Sequence, residues 1–156
     1  MQIKIKMAQA HQWQRENENV QRELASIQEY VNQNISNLEE EAVYFIPLQG
    51  NYIHVKRTMV LAGVIVSTMK KRIQGIEGCL KTRLKESVAE AAKVRFEFPM
   101  EFLGRLDCAE GFPVHFEIPV KGMQQDQKIR SSSLQCELAE VKILSIDDVE
   151  DKNEKN

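Results

Sequence analysis

The chain has 156 residues, 42% hydrophobic and 28% charged, with a formal net charge of −2. That is ordinary for a globular protein and long enough for a core without metals or cross-links. The cysteines Cys79, Cys108 and Cys136 are odd in number and form no C-x-x-C pair. They argue against a disulfide framework and fit a reducing, cytoplasmic setting. The leading MQIKIK has no apolar stretch of the length a signal peptide needs.

The first organised segment carries a seven-residue period. Trp13, Val20, Ile27 and Asn34 recur on one position, and Asn17, Leu24, Val31 and Leu38 on the neighbouring one. The positions between them are nearly all polar. So narrow a seam predicts a coiled-coil arm over residues 8–41, with Trp13, Val20, Leu24, Ile27, Val31 and Leu38 as oligomerisation contacts. The alternative is an amphipathic helix packed on its own domain.

Gly50-Asn51 then separates two runs rich in Val, Ile, Tyr and Phe, which predicts a hairpin turn there. Pro47 has no amide hydrogen, so its strand belongs at an edge or turns that position outward. The oily run at 59–69 is far shorter than the ~20 residues of a membrane span, and polar or basic residues precede it. Its β-branched content is compatible with a strand. Thr58 as a cap, the basic turn Lys70-Lys71-Arg72 and Gly75 as a stop favour a buried helix over 59–74. Ile76, Leu80, Leu84, Val88 and Ala91 or Ala92 lie at helical spacing, which predicts a second helix over 76–93.

From Val94 the period becomes two. Residues 94–98 and 114–120 alternate as two antiparallel strands with turn residues between them. Residues 134–138 and 141–146 continue the pattern, with a phase change near Ala139-Glu140 that predicts a bulge. Residues 124–133 are expected to form a loop, and 147–156 an acidic disordered tail. The predicted fold class is α+β: a coiled-coil helix, then a domain over 42–146 of one or two helices and an antiparallel sheet.

No catalytic or metal signature survives inspection, and no cofactor is expected. His115-Phe-Glu117 is an H-x-E triplet without a following C-x-x-C, and strand alternation alone places both residues on a solvent face. Nothing marks an activating environment for Cys108 beside His115. GIEG at 75–78 lacks the Lys-Ser/Thr of a phosphate loop. Charge is segregated: residues 8–41 hold two cations against seven carboxylates, and residues 56–95 hold ten cations against three. The functional expectation is a non-enzymatic, homo-oligomeric adaptor, scaffold or chaperone-like subunit that binds itself and another protein. The alternative is a nucleic-acid-binding accessory protein whose Lys70, Lys71, Arg72, Lys81, Arg83 and Lys85 contact phosphates.

Overall fold

The computed structural model describes residues 2–14, 16–35, 38–85 and 92–145. The oily run is a strand, β3 (Thr58–Ser67), and not the expected helix. It sits at the centre of a five-stranded sheet, order β1-β6-β3-β2-β7. The others are β1 (Lys4–Ile5), β2 (Val43–Ile53), β6 (Glu110–Pro119) and β7 (Gln127–Arg130). Both faces of β3 are covered. Met59, Leu61 and Ile65 join the main core, and Val64 and Val66 lie in a second core on the opposite face. A strand buried on both sides reads as an unbroken hydrophobic run, so its sequence carries no alternation.

The second predicted helix is also β-structure. β4 (Ile73–Leu84) and β5 (Ala92–Phe98) form a three-stranded sheet with β8 (Leu134–Ser145), order β5-β4-β8. Val88 and Ala91, which extended that prediction, lie outside the described residues, as does the predicted tail at 147–156. The described residues are therefore mostly β-sheet, 51% strand in two sheets curled as a half-barrel, which overturns the α+β assignment. Phe112, Met59, Leu61, Ile65 and Leu80 are fully buried in the core of this half-barrel. Each such side chain contributes about 1.5–3 kcal/mol on burial.

Gly50-Asn51 is not a turn. Both residues lie inside β2, and the chain reverses at residues 54–57, where Arg57 takes a φ of 51°. Gly50 is needed for close approach, since a Cβ there would stand 2.8 Å from Met59 Sδ. Pro47 pairs with Gly63 on one side, while β7 begins its pairing with β2 at Gln49, so the missing donor falls where β2 is an edge. The expected loop at 124–133 contains β7 and the short 3-10 turn Ser131–Ser133. The alternating segments at 94–98 and 114–120 are strands, but in different sheets, because α2 (Met100–Leu103) and the chain to Asp107 carry the backbone from one sheet to the other. The phase change near Ala139-Glu140 is a bulge. Glu77 and Cys79 pair with Lys142 and Ala139, so β8 carries an extra residue there, and Glu140 absorbs it with a φ of 54°.

The coiled-coil arm is absent. The helix α1 (Glu18–Asn34) begins only after Asn17, whose side chain accepts hydrogen bonds from the Asn19 and Val20 amides (2.9 and 3.2 Å). Trp13 lies earlier, in the 3-10 segment Gln9–Gln14, and Leu38 lies beyond the extended cap Ile35. Seventeen helical residues span about 25 Å. They cannot carry the seam from 13 to 38. The seam that remains packs inward: Ile27 and Val31 bury against Ile3, Ile46, Val64 and Val66. Gln28 fastens the helix to the sheet edge, accepting from the Ile5 amide (2.8 Å) and donating to the Ile3 carbonyl (2.7 Å).

Candidate ligand cleft

Where α1 leaves the sheet core, a cleft of about 440 Å³ opens between the helix and β6. One wall is α1, through Val20, Glu23, Leu24 and Ile27. The other comprises Pro113, Val114 and His115 of β6, with Phe98 and Phe102 at its end and Met7, Ala8, His11 and Gln14 closing the side. The reason it stays open is topological. β1 pairs with β6 only at Glu110 and Gly111, so the edge of β6 beyond Gly111 has no further strand beside it among the described residues.

The lining is chiefly aromatic and aliphatic. Phe98 and Phe102 stack with centroids 5.2 Å apart, and the His11 ring meets Phe102 edge-on at 5.2 Å. Phe98 also contacts Phe112 and Phe116, which fixes the cleft floor to the main core. Polar groups are few: His11, His115, Gln14 and Glu23. Among the described residues no three His, Cys, Asp or Glu side chains converge closely enough to hold a metal ion.

The residues singled out in the sequence are scattered over the fold. Val20, Leu24 and Ile27 meet at the cleft, while Val31 is buried deeper and Leu38 packs at the rim of the small core. Trp13 is 78% exposed beside His11 and Gln14. Lys70, Lys71 and Arg72 occupy the connection before β4, where Arg72 lies 4.0 Å from Asp107. Lys81 and Arg83 are exposed near the far end of β4, with Lys85 just past it. Arg72 and Lys81 are nine strand residues apart, about 30 Å. The basic tract therefore forms two clusters at opposite ends of β4. Cys108 donates to the Thr68 carbonyl (3.6 Å) in the turn before β6, while His115 lies midway along that strand, so the two do not form a nucleophile pair. The three cysteines are free thiols; burial pushes the Cys136 thiol up, with partial relief from the Thr82 hydroxyl.

Outside the cleft, the end of β1 is tied electrostatically to the start of β6. Burial alone would raise the Glu110 carboxyl, but the Asp107 amide (2.7 Å) and the Lys6 ammonium (3.0 Å) outweigh it and hold the group below its usual range. Lys6 also donates to the Arg105 carbonyl. A depressed folded pKa gives stability that is complete above the unfolded value and is lost as pH falls through the folded one. Urea midpoints of the native chain should therefore drop below about pH 4.5 more steeply than those of Glu110→Gln. Parallel curves for the two proteins would remove Glu110 from the acid response.

His11, Phe102, Pro113, Val114 and His115 were missed as a site because they come from segments about ninety residues apart in the chain. The one local signal was the inward phase of Phe98 and Val114. No helix among the described residues is long and apolar enough to cross a membrane. No family model, curated protein or solved structure matches the chain.

Proposed function

We propose that the chain is a non-catalytic binding module whose cleft takes the ring-bearing, apolar part of a small molecule. The observation that carries this reading is an aromatic-lined cleft of about 440 Å³ that the described residues leave unfilled. That volume falls in the range of small-molecule sites, as does the pattern of an apolar lining with a few polar groups. A ligand ring that buries about 150 Å² gains roughly 4 kcal/mol, which alone corresponds to about millimolar affinity. Hydrogen bonds to His11, Gln14, Glu23 or His115 supply the remainder and set orientation. The six cations of the nucleic-acid alternative divide between the two ends of β4.

The probe ANS tests the reading. Its fluorescence should rise saturably with the native chain and fall by at least about tenfold in apparent affinity when Leu24→Arg places a charge in the cleft. Val55→Asp, at an apolar position 94% exposed away from the cleft, should bind as the native chain does. Equal binding by all three proteins would place the probe elsewhere and sink the proposal.

A further inference from the structure

The three-stranded sheet turns Ile76, Leu80, Phe96 and Leu138 inward, and the alternate residues outward. On that outer face, three cross-strand rungs follow one another. Lys142, Glu77 and Glu97 form the first; Ala139, Cys79 and Arg95 the second; Glu137, Lys81 and Lys93 the third. The first and third rungs are opposite in charge strand by strand: Lys142 against Glu137 on β8, Glu77 against Lys81 on β4, Glu97 against Lys93 on β5. The one charge of the middle rung, Arg95, is neutralised by the neighbouring Glu140. Arg95 makes two hydrogen bonds to Glu140 (3.1 and 3.2 Å) and covers Cys79, 3.7 Å away.

Two features make this pattern costly in a lone chain. Glu77 stands directly opposite Glu97, and Lys81 directly opposite Lys93; like charges in that relation destabilise a sheet, and Lys142 and Glu137 on the other side of β4 offset only part of it. None of the six outer-rung residues forms an ion pair among the described residues.

We propose that a second copy of the chain docks face to face on this sheet, about a two-fold axis lying along the middle rung. Such an axis reverses strand direction while keeping each strand over its own counterpart. Glu77 then meets Lys81 of the second copy, Glu97 meets Lys93, and Lys142 meets Glu137, each pair formed twice. The like-charge pairs Glu77–Glu97 and Lys81–Lys93 then each face the opposite charge. The contact is isologous and closes at two copies. Its footprint, three strands wide and about eight residues long, is on the order of 400 Å² per copy. That is about half the usual size per partner, so the dimer is transient. Its charge pairs are exposed and therefore salt-sensitive.

Sedimentation of the full chain tests this. At low salt and rising concentration the weight-average mass should climb from 18.0 kDa toward twice that value, and fall back at high salt. Lys81→Glu with Lys93→Glu should abolish the rise, and so should Glu77→Lys with Glu97→Lys. Mixing the two variants should restore it, because one face is then acidic and the other basic. Circular dichroism checks that each is folded, and Lys93→Glu alone, at an exposed site, replaces a pair that is not. A native mass that stays monomeric, variants that associate like the native chain, or a mixture that stays monomeric would each overturn the proposal.

Discussion

Gly63→Ala should lower stability by about 3 kcal/mol, a fall in thermal midpoint of roughly 6–12 °C. Gly63 lies in the middle of β3 with its open side toward the core. A Cβ there would stand 2.3 Å from Phe45 Cζ and 2.7 Å from the Ile46 carbonyl oxygen. The ring is not free to swing away, because Phe45 is buried and packs edge-on against Phe116 at 5.7 Å. The carbonyl belongs to the neighbouring strand and moves only with the sheet. Phe45→Ala alone should cost about 3–5 kcal/mol through the cavity it leaves. The double variant should be less destabilised than the sum of the two, since removing the ring removes part of the clash. Strict additivity would mean that the ring and the glycine do not compete for the same space.

The second large effect separates two roles for the helix. Val31→Asp places an unpaired carboxylate at a position 1% exposed beneath α1, at a cost on the order of 4 kcal/mol. Leu24→Asp, at a half-buried cleft position, should cost about 1 kcal/mol or less. In a coiled coil the two residues would share the same seam position and respond alike. Chemical denaturation of both variants at several protein concentrations decides between these arrangements. Equal losses that shrink with concentration would restore the intermolecular seam.

The contrast shows what local sequence can and cannot carry. α1 was legible as a helix with an apolar stripe. Its partner was not, because Val64 and Val66 come from a strand more than thirty residues away that looks uniformly oily. The misreading of β4 has a sharper cause. Ile76, Leu80 and Leu84 are spaced by four, and four satisfies both the helical period and twice the strand period. The residues that distinguish the two lie between them: Gly78 and Thr82 also face inward, which only a strand allows. Neither is hydrophobic enough to reveal that phase. The later strands were legible because Phe96, Phe98, Phe116 and Ile118 alternate with charged or polar residues, and the Glu140 bulge registers as a slip in that alternation. The cleft could be read only in part. Val20, Leu24 and Ile27 stood out as apolar, but the edge of β6 that makes room for a ligand exists only because β1 is two residues long.

The uneven attachment of α1 has a consequence for motion. Its second half is fixed by Ile27, Val31 and the Gln28 hydrogen bonds, whereas Val20 and Leu24 border open space. The cleft thus has one stiff wall, knitted into the sheet, and one compliant wall. Peeling back the first two turns of the helix leaves Ile27, Val31 and the Gln28 hydrogen bonds in place, so it costs much less than global unfolding. Amide hydrogens near Val20 should exchange faster than those near Val31, and a bound ligand should narrow the difference. A molecule can therefore reach the aromatic floor by local fraying of the helix, with the half-barrel intact.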